Sequence, residues 1–139
     1  MFKGSLIAAV ALGLTLAGSA SIASAQDAAK AKTLKNPVKP TEASIKAGAQ
    51  VFNAMCRHCH GALGRGDGMM ASKKDPPADL TDAKWDYGAT DGEIFNIITN
   101  GVPKEKSVMK GVKGKLADTD VWNIVNFLRS IGPKGAKKS

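Results

Sequence analysis

The chain has few of the residues that cross-link or anchor small exported folds. It holds two cysteines and two histidines among 139 residues, and aromatic residues make up only 5% of it. Two cysteines can form at most one disulfide, which excludes a fold stapled by several bridges. No internal repeat is present, so a solenoid is excluded. No apolar run alternates with polar residues over a strand's length, so no β-sheet is expected. After the first 25 residues no apolar stretch approaches the roughly 20 residues that a membrane-spanning helix needs. One sign of charge is in short supply: 12 acidic residues face 20 lysines and arginines, for a formal net charge of +8. Such a balance first suggests nucleic acid as a partner. The scarcity of aromatics and the signs of export below argue against nucleic acid. An acidic protein face or an anionic surface fits better.

At the amino end, Met1-Phe2-Lys3 precedes the moderately apolar run GSLIAAVALGLTLAGSASIASA, which closes on Ala23-Ser24-Ala25. A short basic head, an apolar stretch and an A-x-A end form a secretory signal peptide. Residues 1–25 are therefore expected to be cleaved after Ala25 rather than kept as an anchor. The absence of a twin arginine favours the general export route. The expected location is the periplasm, without stable membrane insertion. Residues 26–40 (QDAAKAKTLKNPVKP) read as a mobile leader or an arm lying on the domain. Residues 41–132 form the single domain, and 133–139 (PKGAKKS) a basic tail.

Every cysteine and histidine falls within Cys56-Arg57-His58-Cys59-His60. Core packing has no need of such clustering. Cys-x-x-Cys-His is the attachment signature of a c-type haem. On one helical turn both sulfurs face the vinyl side of the ring, each able to form a thioether. His60 then lies beneath the iron as an axial ligand. Arg57 and His58, the spacers, point to solvent. A structural zinc site would want a fourth ligand that this cluster does not offer. A thioredoxin-like pair would want a βαβ pattern and no adjacent histidine. For the sixth iron position His58 is tied between the cysteines, which leaves methionine. Met55 is held on the attachment side. Met69 and Met70 follow in a Gly-rich loop, and Met109 lies far along the chain where a loop can cover the opposite face. Met109 is the expected ligand, with Met69 and Met70 the alternatives; lysine next to Met109 also admits a neutral lysine.

Three helices surround these loops. Thr41 caps the first, which runs to about Cys56 with Ile45, Gly48, Ala49, Phe52 and Met55 toward one side. Thr90-Asp91-Gly92-Glu93 is a capping box, and Asn100-Gly101 ends that helix. The third starts at Asp118 or Thr119. Its stripe is Val121, Ile124, Val125 and Leu128, flanked by Trp122 and Phe127, and Gly132-Pro133 stops it. This is a small all-α core, to which a haem would add apolar volume.

From about Thr41 to Ile131 the chain resembles a class I, mono-haem c-type cytochrome. The likeness rests on GAQVF before CRHCHG, on GRGDG after it, on DPPADL, on NGVP leading to Met109, and on the closing DVWNIVNFLRSIG. It implies a small cytochrome c fold of three or more helices and long loops around one haem c, covalent through Cys56 and Cys59. It implies that the first and last helices cross, with Gly48 and Phe52 against Ile124 and Phe127. It also implies that a carbonyl of Pro76 or Pro77 accepts a hydrogen bond from His60 Nδ1–H. Arg65, Trp85 and Tyr87 become candidate neighbours of the propionates. The function implied is one-electron transfer without catalysis, by a monomeric carrier. It would run between a dehydrogenase or membrane complex and a terminal acceptor, and would meet acidic-faced redox proteins. The alternative is a haem subunit of a periplasmic oxidoreductase complex acting on alcohols or sulfur compounds.

Overall fold

The protein is described here by a computed structural model covering residues 27–103 and 108–133. The expected signal peptide, Lys104 to Ser107 and the basic tail beyond Pro133 lie outside the described residues. Among the described residues five helices follow in order: α1 over 27–33, α2 (Glu42–Met55), α3 (Arg57–His60), α4 (Asp91–Asn100) and α5 (Asp118–Ile131). Among the described residues there are no strands, only isolated bridges at Gly101–Lys110 and Lys113–Leu116. None of these helices is long and apolar enough to cross a membrane.

The helix ends follow from local chemistry. Thr41 caps α2 by accepting from the Ser44 N–H at 3.2 Å. At α4 the box is reciprocal: Thr90 Oγ1 accepts from the Glu93 N–H, and Glu93 Oε2 accepts from the Thr90 N–H at 2.9 Å. Two orphan amides of the first turn are thereby satisfied. Gly101 ends α4 at φ 88°, a conformation that other residues rarely adopt. Ala117 precedes α5 without a side-chain cap, so Asp118 and Asp120 favour its start through the helix dipole alone.

The core forms where α2 crosses α5. Gly48 lets the two backbones approach so closely that a Cβ there would sit 2.0 Å from Asn123 O. One turn on, the Phe52 and Phe127 rings lie 5.1 Å apart, and Ile124, Val125 and Phe52 are almost wholly buried. Phe95 stacks on Trp122 at 4.1 Å and joins α4 to α5. The expected stripe of α5 is buried throughout, and Trp122 is buried with it. On α2, Ser44 joins Gly48 and Phe52 as a buried residue, whereas Met55 is 41% exposed.

Ser44 is buried because it belongs to a polar network. Asn126 Nδ2 donates to Ser44 Oγ (2.7 Å) and to Val38 O (3.0 Å), and Ser44 Oγ donates to Asn123 Oδ1. Asn36 Nδ2 donates to Asn126 Oδ1 at 2.9 Å. Such a network is favourable only when its members are satisfied, and here it ties the segment before α2 to α5. Of the two readings given for residues 26–40, the described part thus lies on the domain as an arm. Ala31 is buried, and the backbone at Ala31 and Leu34 closes against Gly92 of α4. Long irregular connections, 61–90 and the described residues 101–103 and 108–117, run from this scaffold and wall the site.

Candidate cofactor site

The motif is presented at the end of α2. The Cys56 N–H donates to Phe52 O at 2.8 Å, so the helix carries its last bond into the first cysteine. Cys56 O then accepts from the Cys59 and His60 N–H groups at 3.2 and 2.9 Å, closing the single turn of α3. Gly61 turns the chain away at φ 79°. Arg57 and His58 are exposed, and Cys56, Cys59 and His60 are half-buried, as the spacing predicts. The cysteines are not joined to each other.

The loop after the motif folds back onto this turn. Gly66 N–H donates to His60 O at 2.9 Å and Gly68 N–H to Cys59 O at 3.0 Å, while Leu80 N–H reaches Gly64 O at 2.7 Å. Gly66 approaches Pro77 so closely that a Cβ would sit 2.3 Å from the Pro77 carbonyl oxygen. That carbonyl therefore faces the glycine loop. The partner of His60 Nδ1 is Ala78 O, at 3.4 Å, and not Pro76 or Pro77 as the resemblance implied.

Cys56, Cys59 and His60 line one side of a cavity of about 550 Å³, within the range of small-molecule and cofactor sites. Phe52, Ile94, Ile98, Ile124 and Leu128 contribute core side chains to its lining, and Pro76 to Ala78, Trp85 and Tyr87 contribute the loop wall. Met109 lines the same cavity, on the connection that follows α4. Met69 and Met70 do not line it; they are 91% and 69% exposed. Of the suggested propionate neighbours, Trp85 and Tyr87 line the cavity, whereas Arg65 does not and lies near Asp79.

Burial sets the protonation states. It pushes the Cys56 thiol up to about 11, helped by the nearby Cys59. Burial also lowers the His60 pKa, against the raising effect of the Ala78 carbonyl. The imidazole is thus held neutral at physiological pH, with a lone pair free for a metal. Trp85 belongs to the cavity wall, and its Nε1 is buried with no hydrogen-bond partner among the described residues, which is uncommon in a native fold. A large, mostly apolar ring with a metal at its centre suits a cavity of this volume and lining. The thiols of Cys56 and Cys59, the imidazole of His60 and the thioether of Met109 all line that cavity, and these are donor types that a haem c takes. The residues present fit a haem.

Two groups, one behind the cavity wall and one in the helix crossing, were not anticipated from sequence. Arg129, in the last turn of α5, pairs with Asp91 at 2.7 Å, with both side chains largely buried. It also donates to the Ala89 carbonyl and lies 5.8 Å from the centre of the Trp85 ring. A desolvated cation over an indole is attracted by the ring's negative face, so Arg129 props the cavity wall from behind. The available signals were an acid in the first turn of α4 and an arginine late in α5. The other group is Asn126, a polar residue buried among the apolar side chains of α5.

The comparisons with known proteins agree with this geometry. Residues 43–128 match the family model described as cytochrome C oxidase, cbb3-type, subunit III. The chain is 33% identical over 89 residues to the cbb3-type cytochrome c oxidase subunit FixP of Azorhizobium caulinodans, which covers 64% of this chain and 28% of that protein. The chain thus spans less than a third of the length of that relative. It is 30% identical over 94 residues to cytochrome c6 of Gracilaria tenuistipitata var. liui, covering 67% of this chain and 78% of that one. Among solved structures it superposes with a TM-score of 0.62 and 29% identity on a chain of the Kuenenia stuttgartiensis reducing HAO-like protein complex Kustc0457/Kustc0458. That match covers 70% of this chain and 47% of the other.

Proposed function

The chain belongs to the class I c-type cytochromes, mono-haem electron carriers built on haem c, and from the site described above we propose how its own residues serve that role and where it works. Cys56 and Cys59 would hold the haem by two thioethers, and His60 and Met109 would offer its iron an imidazole nitrogen and a thioether sulfur. When bound, the haem supplies one-electron chemistry, its iron passing between the ferrous and ferric states. The neutral His60 supplies its free nitrogen, and Ala78 O fixes the ring through Nδ1, the kind of outer contact that orients a ligand and raises its basicity. Met109 would add its thioether sulfur to the iron, and thioether ligation raises the potential. The apolar lining excludes water and disfavours the extra charge of the oxidised centre. With His60 and Met109 both bound to the iron, no place would be left for a substrate, and the chain would carry electrons without catalysing a reaction of its own.

The setting we infer is the periplasm, reached through the signal peptide of residues 1–25. There the protein passes electrons from a dehydrogenase or membrane complex to a terminal acceptor in a respiratory chain. Its basic surface favours brief encounters with acidic-faced redox proteins. One observation favours a second reading, as a haem subunit of an oxidoreductase complex: the likeness to the HAO-like complex and to FixP, an oxidase subunit. A stable complex would bury a sizeable interface, in contrast to a transient encounter.

The observation that carries the proposal is the convergence of Cys56, Cys59, His60 and Met109 on one apolar cavity. The exported protein should weigh one haem more than its polypeptide and keep that haem through acid–acetone extraction. The ferrous form should not bind carbon monoxide. Ready binding would mean an open sixth position, and with it a sensing or catalytic role.

A further inference from the structure

The segment that carries Met109 is fastened to the end of α4 through its backbone. The last carbonyls of a helix have no partner within it. Here Ile98 O accepts from the Val112 N–H and Thr99 O from the Lys113 N–H, both at 3.0 Å. The carbonyl of Met109 itself accepts from the Val102 N–H at 3.3 Å, beside the antiparallel bridge Gly101–Lys110. Met109 is thus held between two sets of backbone bonds to one helix end. Ile97 and Ile98 of that helix end line the cavity together with Met109. Methionine turns about three bonds and does not fix its own sulfur, so the backbone beside it must.

Two glycines permit this approach. A Cβ at Gly111 would sit 2.2 Å from Thr99 O, 2.5 Å from Asn100 C and 2.7 Å from Asn100 Cα. All three are backbone atoms of α4, so no rotamer change makes room. The segment would have to retreat by about 1 Å, as overpacked backbones do, and the bonds to Ile98 and Thr99 would stretch with it. Gly111 does not have a positive φ, so alanine there meets a steric obstacle and no conformational one. Gly101 faces it across the bridge: a Cβ there would sit 2.9 Å from both Gly111 N and Met109 O.

We propose that Gly111 is a positioning residue for the sixth iron ligand: it lets residues 108–113 latch onto the C-terminal carbonyls of α4, which keeps the Met109 thioether in the cavity and the iron closed to outside ligands. This rests on the ligand role proposed above for Met109 and names what holds that ligand in place. The latch also couples the two parts it joins. The end of α4 gains partners for its orphan carbonyls, and the methionine gains a fixed backbone. Releasing one releases the other.

The test uses the full holoprotein and three substitutions. Gly111→Ala should lose the long-wavelength sulfur–iron band of the ferric protein, and its ferrous form should take up carbon monoxide where the wild type does not. Its Val112 and Lys113 amides should exchange about tenfold faster, the factor expected when one hydrogen bond's net contribution is lost. Gly114→Ala is the control. Gly114 lies in the same connection at φ 77°, with nothing within 4 Å of its Cβ position. Alanine there carries the strain of a left-handed residue without touching the latch, so it should lower Tm yet keep the band and refuse carbon monoxide. Gly101→Ala carries the same kind of strain, at φ 88°, and adds the crowding against Met109 O; it should follow Gly111→Ala. If Gly111→Ala yields no holoprotein, Gly101→Ala against Gly114→Ala decides the matter alone. A latch variant that keeps the band and refuses carbon monoxide overturns the proposal. So does an equal response in Gly114→Ala, which would mean that any loss of stability frees the ligand. Failure of the ligand role itself would show in the wild type, as a protein that lacks the band or binds carbon monoxide unaltered, and the proposal would fall with it.

Discussion

Replacing Gly48 by alanine tests the helix crossing on which the site is built. The added methyl would sit 2.0 Å from Asn123 O, 2.4 Å from Asn123 C and 2.9 Å from Ile124 N, against the 3.4 Å at which ordinary contact begins. All three are backbone atoms of α5, so no rotamer change relieves the clash; the helices must part by more than about 1 Å. Overpacking of this kind costs about 1–3 kcal/mol. Loosening the Phe52–Phe127 pair, now at 5.1 Å, adds about 0.5–1.5 kcal/mol. Against this, alanine is the better helix former by about 0.8–1.0 kcal/mol. The balance is a loss of about 1–3 kcal/mol, and for a domain of this size a fall in Tm of about 10 °C. Thermal unfolding of the holoprotein, followed by far-ultraviolet circular dichroism, measures it directly. Separating α2 from α5 also moves Cys56, so the haem absorption should broaden at temperatures where the wild type is unchanged. A Tm equal to or above the wild type would show that helix propensity acts unopposed, and the close crossing would be refuted.

Three further outcomes are expected. Met109→Ala should abolish the weak long-wavelength charge-transfer band of sulfur–iron ligation in the ferric protein and lower the potential. If the band instead survived there and vanished in Met69→Leu or Met70→Leu, the ligand would be one of the exposed methionines. Charge reversal at Lys110, Lys113 and Lys115, with Lys106 outside the described residues, should slow transfer to an acidic partner at low salt. It should also flatten a salt dependence that follows the fall in Debye length from about 10 Å at 0.1 M to about 3 Å at 1 M; a rate indifferent to both would assign those lysines to solubility alone. At Glu93, burial pushes the carboxyl up, but the hydrogen bonds from Thr90 outweigh it and hold the pKa below the ordinary 4.5. The box therefore contributes stability that is present above that ordinary value and lost as the pH falls through the lowered one. Amide exchange in the first turn of α4 should accelerate over that acid range in the wild type and lose its pH dependence in Glu93→Gln.

The sequence by itself determined the chemistry and the local structure. Cys56, Cys59 and His60 lie within five residues, so one helical turn brings them together whatever the rest of the chain does. Thr41, the Thr90–Glu93 box, Gly101 and Gly132 mark helix ends through bonds made within a few residues, and those ends appear where the residues predict them. Tertiary structure decided everything that depends on distant segments meeting. Met109 shares a cavity with His60, and Met69 and Met70 stand in solvent, because of how the two long connections close over the scaffold; methionine itself gives no sign of which face it will meet. The Gly66 loop turns the Pro77 carbonyl away from His60 and leaves Ala78 to accept. The segment before α2 lies on the domain because Asn36 and Val38 find Asn126, roughly ninety residues away. Arg129 meets Asp91 and Trp85 only because α4 packs against α5. Periodicity and capping report bonds between neighbours in the chain, whereas these contacts exist only once the helices have crossed at Gly48.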